Sequence, residues 1–301
     1  MERTKNKKPD AILMSDIHLR SDRPVARTDD YWEAQWIKLG FVRGLQEEYE
    51  CEVINAGDLY NHWKPSPELI TETMKYLPKE FSTIYGQHDL PQHNIDLANK
   101  CGINTLMESG HLRLPPGGKH WGQEPDDEVY HIPMGVDWRS EENWRSVLVW
   151  HFLTYKDSRP FPEHRGPSAL RILKKYPDYD LIVTGDNHIP FTQEYEGRLL
   201  VNPGSMMRMR ADQVEHQPRV YLYYAETNTV KPVYIPIEKD VITREHIEHI
   251  QQRDERINAF ISSLDTDWKV EMSFEDNLKV YIIANKVSKE LQDIIYKAIE
   301  S

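Results

Sequence analysis

Short apolar runs alternate with helix-like segments through the first two-thirds of the chain. Each run is short and continuous, which is typical of strands that are buried on both faces of a sheet. The runs cover residues 11–15, 51–56, 81–86, 146–151 and 180–185. Strands that alternate with helices in this way predict an α/β fold with a doubly wound sheet.

Two helices are predicted between the early strands. Residues 30–49 carry apolar side chains at helical spacing. A second helix is predicted from Ser66, which can cap the first turn. Pro67 and Glu68 follow it, and both residue types are favoured at a helix N-terminus.

Two hairpins follow the last of these runs. Residues 191–204 predict a hairpin that turns at Glu196 and Gly197. Residues 219–237 predict a second hairpin that turns near Asn228. Both hairpins come before the change in character that is described next.

The character of the chain changes after the second hairpin. The pattern predicts a polar helix as far as about Leu264, a strand over residues 278–284 and a helix from Ser288 to the end. We therefore expect a main domain over residues 1–238 and a small C-terminal α/β capping domain over residues 239–301.

Composition limits the classes of function. The 301 residues are 39% hydrophobic and carry a formal net charge of −12. That charge argues against a surface built mainly to hold nucleic acid, although it leaves room for a local basic groove. Cys51 and Cys101 have no metal-type spacing, which predicts buried thiols in a reducing compartment. No apolar run reaches the ~20 residues of a membrane helix, so we expect a cytoplasmic protein without a membrane association.

Side chains that can bind a metal or move a proton follow four of the apolar runs and end the fifth. In chain order they are Asp16 and His18, Asp58, Gln87 and His88, His151, and Asp186 and His188. Residues two apart at a strand end point to the same side, and ligands bind at the carboxyl ends of parallel strands. One carboxylate, Asp58, is placed to bridge two cations. A two-metal site suits phosphoester hydrolysis, because the cations clamp both the attacking and the leaving oxygen.

This series resembles the signature of the calcineurin-like metallophosphoesterases, which reads D-x-H, G-D, G-N-H-D, H and G-H-x-H. The resemblance covers residues 10–206 and implies a four-layer α/β/β/α sandwich. It implies a first metal held by Asp16, His18, Asp58 and His188. It implies a second metal held by Asp58, Gln87, His151 and Asp186. By the same resemblance His88 is the general acid for the leaving group and is oriented by Asp89.

The chain departs from this signature at two positions of the second metal. Gln87 stands where the family has Asn, and Asp186 stands where it has His. Glutamine keeps the amide oxygen, whereas aspartate is a harder ligand that favours Mn²⁺ or Mg²⁺ over Zn²⁺. We therefore expect two divalent ions, with Mn²⁺ preferred. The site is interpreted as retuned and not dead, because Asp58 and His88 are both kept.

Finer features are similar to the SbcD-type DNA-repair exonucleases. They are the P-S-P-E that follows G-D-L-Y at residues 57–68, the G-Q-H-D-L-P of residues 86–91 and the N-P-G-S loop of residues 202–205. This resemblance implies a DNA substrate and an SbcC-like coiled-coil ATPase partner, and it leaves homodimerisation open. The apolar stripe of the predicted helix that ends at Leu264 either docks that partner or packs inside the capping domain.

Three functions are weighed on this basis. The favoured one is a Mn²⁺-dependent DNA nuclease that uses a two-metal mechanism in DNA repair, recombination or replication. The alternatives are a phosphodiesterase or phosphatase for small phosphoesters, and a catalytically silent scaffold that binds DNA or a partner. Candidate substrate contacts are His93, Arg208 and Arg210; the two arginines fit a solvated turn equally well.

Overall fold

The computed structural model describes residues 8–114, 134–139, 144–162, 164–245, 247, 253 and 274–300. The strands in these ranges are β1 (Ala11–Met14), β2 (Glu52–Asn55), β3 (Phe81–Thr83), β4 (Met134–Arg139), β5 (Trp144–Trp150), β6 (Leu181–Thr184), β7 (Phe191–Tyr195), β8 (Arg198–Asn202), β9 (Arg219–Tyr224) and β10 (Thr229–Tyr234). The α-helices there are α1 (Tyr31–Tyr49), α2 (Pro67–Tyr76), α3 (Gly102–Glu108), α4 (Ala169–Lys175), α5 (Phe274–Ala284) and α6 (Lys289–Glu300).

The strands form two five-stranded mixed sheets. The first has the order β10-β9-β1-β2-β3, and the second has the order β4-β5-β6-β8-β7. Strands β1, β2 and β3 are parallel, as are β5, β6 and β8. The remaining strands of each sheet pair antiparallel at its edges. The carboxyl ends of the parallel strands therefore meet at one edge of each sheet.

Alternating side chains along β1 show how the layers stack. Ile12 and Met14 pack into the apolar cluster that contains residues of α1, α2 and α3. Ala11 and Leu13 point the other way and join a cluster shared with the second sheet. The far face of the second sheet packs on α4, with Trp150 among its buried residues. The order of layers is α/β/β/α, which confirms the predicted fold class.

The predicted helix starts and hairpins are confirmed. Asp30 caps α1 by accepting the Glu33 N–H at 3.1 Å, and Ser66 caps α2 in the same way. Strands β7 and β8 are joined by Glu196 and Gly197, whose φ values are 51° and 73°. Positive φ at both positions is what a two-residue type I′ turn requires.

The contacts divide the chain into two compact units, Met1–Thr243 and Arg244–Ser301. The strand predicted over residues 278–284 is wrong, because these residues lie in α5. Leu278 and Ile282 are buried while Ile283 is exposed, and this four-residue spacing is helical. A short apolar run does not by itself separate a buried helix from a strand.

The helix predicted as far as Leu264 lies mostly outside the described residues. In the second unit, the regular elements that the structure describes are helices α5 and α6. The role of this unit as a capping domain stays a prediction. Within the described ranges, no helix is long and apolar enough to cross a bilayer.

Candidate metal centre

The polar residues that follow the parallel strands converge at one place. Asp16 and His18 follow β1, Asp58 follows β2, and Asp186 and His188 follow β6. Except for Asp186, their ligand atoms form three overlapping groups together with those of His88 and His151, and the atoms of each group lie within 4.8 Å of one another. The groups are Asp16–His18–His188, His18–Asp58–His88 and Asp16–Asp58–His151.

The imidazole and carboxylate groups of this cluster lie close to one another. His18 Nε2 lies 3.2 Å from His188 Nε2. Asp58 Oδ2 lies 3.2 Å from His151 Nε2 and 3.6 Å from His18 Nε2. A separation near 3.2 Å between two ring nitrogens is what two ligands would have if each lay ~2.1 Å from one ion. Asp58 Oδ2 therefore lies close to the ring nitrogens of both His18 and His151.

Several buried polar atoms of the cluster have no hydrogen-bond partner among the described residues. They include Asp16 Oδ2, Asp58 Oδ2, His18 Nδ1 and His151 Nε2. Burial of such atoms without a partner costs free energy, and a divalent cation would satisfy the carboxylate and imidazole atoms together. The residues present therefore fit a metal centre.

A backbone carbonyl orients His151 for this role. His151 Nδ1 lies 2.7 Å from the carbonyl oxygen of Ala56. The carbonyl accepts a hydrogen bond from Nδ1–H, which leaves Nε2 facing Asp58, and metal-binding histidines usually have this arrangement.

Burial and charge pairing shift the pKa values of the cluster in different directions. Burial raises the pKa of Asp16 and lowers the pKa of His18 to about 3. Burial also acts to raise the pKa of Asp58, but the adjacent His151 outweighs it and holds that pKa below its ordinary value. In return Asp58 overcomes the effect of burial on His151 and raises its pKa well above the ordinary value. His18 is thus held deprotonated, which is the form that binds a metal.

Four of these residues have left-handed backbone conformations. The φ values are 49° for Asp16, 50° for His18, 53° for Asp58 and 71° for Asp186. Residues other than glycine rarely adopt positive φ, and such strain is concentrated at functional sites. The surrounding fold holds these side chains in place against a local conformational cost.

Glycines precede the ligands because the loops pass very close to one another. A Cβ atom at Gly86 would lie 2.1 Å from Asp58 Oδ1. A Cβ atom at Gly57 would lie 2.6 Å from His151 Nδ1, and Gly57 also has a φ of 97°. Any side chain at either position would displace a member of the cluster.

The N-P-G-S loop joins the first and the last ligand loops. Ser205 N–H donates to the carbonyl of His188 at 3.1 Å, and Met206 N–H donates to the carbonyl of Asp16 at 3.2 Å. Asn202 Nδ2 donates to the carbonyl of Asn187 at 2.6 Å. The loop therefore holds the ligand loops of two strands in register through backbone N–H groups and the Asn202 side chain.

The structure corrects one contact predicted for His88. Asp89 does not orient the His88 ring; its carboxylate accepts the N–H groups of Leu59, Tyr60 and Gly86. The partner of His88 Nδ1 is the carbonyl of Asn61, at 3.1 Å. Burial and the nearby Asp58 raise the pKa of Asp89 to about 8. Sequence reasoning missed Asn61 because a backbone carbonyl leaves no signal in the residue type.

The two departures from the family signature contact each other. Gln87 Nε2 donates to Asp186 Oδ1 at 2.6 Å. The Asp186 N–H in turn donates to Asp16 Oδ1 at 3.0 Å. Gln87 and Asp186 therefore form a hydrogen-bonded pair that is joined to the cluster through Asp16.

The predicted substrate contacts occupy different environments. Arg208 is buried, and its guanidinium donates to the carbonyls of Val214 and Glu238. Arg210 is exposed, lies 3.0 Å from Asp212, and lines a cleft of about 780 Å³ that also includes His88 and His188. His93 is exposed and is not among the residues that line this cleft.

Comparisons with known proteins agree with this geometry. Residues 10–225 match the calcineurin-like phosphoesterase superfamily domain. The chain is 26% identical over 217 residues to the DNA double-strand break repair protein Mre11 of Haloferax volcanii, an alignment that covers 67% of this chain and 48% of that protein. The chain thus spans about half the length of this relative.

Solved structures with a similar fold include proteins of several kinds. An archaeal phosphodiesterase has a TM-score of 0.41 and 15% identity, with coverage of 74% of this chain and 98% of that one. The vacuolar protein sorting 29 protein of Cryptosporidium parvum has a TM-score of 0.36 and 14% identity, with coverage of 77% and 100%. The putative 5′-nucleotidase of Staphylococcus aureus has a TM-score of 0.42 and 11% identity, with coverage of 82% and 58%.

The chain belongs to the calcineurin-like phosphoesterase superfamily. Members of this superfamily are metal-dependent hydrolases of phosphoesters, so the cluster described above is the candidate metal centre of such a hydrolase.

Replacement of Asp186 by Ala is expected to weaken one of two metal equivalents and leave the other. The reason is that Asp186 and Gln87 lie together at one side of the cluster. Replacement of Asp186 by His together with Gln87→Asn restores the family signature and is expected to shift the preference towards Zn²⁺ or Co²⁺. Titration calorimetry with each metal measures both effects. Asp178→Ala, at an exposed carboxylate before β6, is the control; two undisturbed equivalents in Asp186→Ala would remove this residue from the metal shell.

Proposed function

We propose that this protein is a divalent-metal-dependent nuclease that hydrolyses phosphodiester bonds of DNA. The observation that carries the proposal is the convergence of three overlapping ligand groups at the carboxyl ends of the parallel strands, with Asp58 in two of them. The choice of DNA is supported by the similarity to the archaeal Mre11 protein and by the segments that resemble SbcD-type nucleases.

The proposed ligand sets are those that the resemblance to the family signature implies. Asp16, His18, Asp58 and His188 would hold one ion. Asp58, Gln87, His151 and Asp186 would hold the other. When bound, such ions activate a water molecule and stabilise the charge that develops on the transferring phosphoryl group. Oxygen-rich ligands at Gln87 and Asp186 favour Mn²⁺.

His88 is proposed to protonate the leaving oxygen. It is exposed at the cleft, and the Asn61 carbonyl accepts from its Nδ1. An acceptor at Nδ1 fixes the orientation of the ring, and a proton on Nε2 would pass to the leaving oxygen. Its backbone N–H donates to Asp58 Oδ1 at 2.9 Å, which ties its position to the bridging carboxylate.

A three-substrate assay tests the proposal. Labelled linear DNA, circular DNA and a small chromogenic phosphodiester are each incubated with Mn²⁺, with Mg²⁺ or with a chelator. We expect DNA cleavage that needs a metal and is fastest with Mn²⁺. Hydrolysis of the small diester alone would point to a small-molecule phosphodiesterase. DNA that is bound but never cut, with no diester turnover, would point to a scaffold.

An SbcC-like ATPase partner and a homodimer stay predictions. Both would be expected of an SbcD-type nuclease, and pull-down and sedimentation experiments on the full chain would test them.

A further inference from the structure

Several of the residues that line the cleft beside the metal centre are apolar. Within the described residues they are Leu153, Pro160, Phe161, Ile189 and Pro190, and together they are referred to as the apolar wall. Phe161 is 47% exposed and Ile189 is 68% exposed. Ile189 directly follows the proposed ligand His188, so the apolar wall continues from the metal centre itself.

Phe161 is held in position by its neighbours. The His164 N–H donates to the carbonyl of Phe161 at 3.1 Å, which closes a tight turn. The rings of Phe161 and His164 meet edge to face, with centroids 5.3 Å apart. His164 is itself buried and meets the ring of Tyr155 edge to face. The exposed face of Phe161 is therefore presented by a packed aromatic group and not by a loose side chain.

Charge does not dominate the cleft. Its arginines are Arg210 and Arg219, and its carboxylates are Asp186, Asp212 and Glu215. Arg210 is paired with Asp212 at 3.0 Å. Because the charges largely cancel, a phosphate chain gains little long-range attraction here. Affinity at this wall must come from contact with apolar or aromatic surface.

We propose that Phe161 and Ile189 form a base-binding wall that takes the nucleotide next to the scissile phosphate. This inference rests on the proposed nuclease function and adds the form of the substrate. A phosphate at the metal centre puts its own nucleoside within the same cleft, whose volume of about 780 Å³ is in the ~300–1,000 Å³ range of small-ligand sites. A base can stack on an aromatic ring only when it is unpaired. The cleft therefore favours single-stranded DNA or frayed ends over intact duplex.

A binding comparison tests the wall without the need for cleavage. Fluorescence anisotropy in chelator compares a short single-stranded oligonucleotide with an abasic strand of the same length. Both strands carry the same phosphates, so the ratio of the two dissociation constants reports base contacts alone. Stacking on one aromatic side chain is worth about a tenfold change in affinity. We expect the protein to bind the base-bearing strand about tenfold more tightly.

Variants separate stacking from simple packing. Phe161→Leu keeps an apolar side chain without a ring and is expected to bring the ratio close to one, whereas Phe161→Tyr is expected to preserve it. Ile189→Ala is expected to lower the ratio by a smaller amount. Ile37→Ala removes a comparably exposed isoleucine from α1, away from this cleft, and is expected to leave the ratio unchanged.

The outcomes distinguish this inference from the nuclease proposal. A ratio near one in the unaltered protein, or a ratio that Phe161→Leu does not change, overturns the base-binding wall. A Phe161-dependent ratio in a protein that cuts no DNA with any metal leaves the wall standing and overturns the nuclease. Cleavage of DNA by a protein whose ratio does not depend on Phe161 overturns the base-binding wall and leaves the nuclease proposal standing.

Discussion

Asp58→Asn is expected to abolish metal binding and DNA cleavage together while the fold is kept. Asp58 Oδ1 accepts the His88 N–H at 2.9 Å, and the oxygen of asparagine can keep this bond. The new amide group would replace Oδ2, which faces His151 Nε2 at 3.2 Å, and could donate to that nitrogen. The negative charge of the side chain is lost, whereas the packing and the local hydrogen bonds can be kept.

The expected loss is large because Asp58 serves both proposed ions. A metal supplies several kcal/mol of transition-state stabilisation, so the cleavage rate should fall by about a thousandfold or more. Titration calorimetry measures metal binding, single-turnover assays measure cleavage, and thermal unfolding in chelator checks the fold.

Asp10→Asn is the matched control for this change. Asp10 also accepts a backbone N–H, that of Ala225, at 2.7 Å, but it lies at the opposite end of β1 from Asp16. It is expected to leave metal binding and cleavage unchanged. Normal metal stoichiometry in Asp58→Asn would contradict the bridging role.

His88→Ala is expected to slow DNA cleavage by about 10²- to 10⁴-fold, which is the usual contribution of a general acid. Metal stoichiometry is expected to stay normal. The alkoxide that leaves from DNA needs a proton, whereas a nitrophenolate is a good leaving group without one. Hydrolysis of a nitrophenyl diester should therefore fall much less than cleavage of DNA in the same variant.

His62→Ala provides the control, since His62 is exposed and lies one residue after Asn61. The structure also places His88 in one ligand group with His18 and Asp58. Loss of one metal equivalent in His88→Ala would make His88 a ligand, and an equal loss of rate for both leaving groups would argue against the acid role.

Much of the fold follows from local sequence signals. The capping residues Asp30 and Ser66 begin the helices where they are predicted, and Glu196–Gly197 turns the hairpin as expected. These features depend on a few neighbouring residues, so the sequence alone is sufficient to place them. The prediction of a strand over residues 278–284 was wrong because a short, mostly apolar run does not by itself distinguish helical from strand periodicity.

In the site, the sequence predicts which side chains lie at the strand ends, but it does not predict the contacts that depend on backbone groups or on loop conformation. The positions of Asp16, Asp58 and His151 at the strand ends follow from the strand pattern and the parallel topology. The partner of His88 could not be foreseen, because the Asn61 carbonyl comes from the backbone of another loop. Phe161 was also missed, since its exposure depends on how the loop that carries it folds back over His164.

The most direct test of the account is the release of nucleotides from uniformly labelled linear DNA. The unaltered protein, Asp58→Asn and Asp10→Asn are compared with Mn²⁺ and with chelator. We expect acid-soluble label from the unaltered protein and from Asp10→Asn with Mn²⁺ but not with chelator, and none from Asp58→Asn. DNA that stays intact in the unaltered protein with every metal, or equal release by Asp58→Asn, would contradict this expectation.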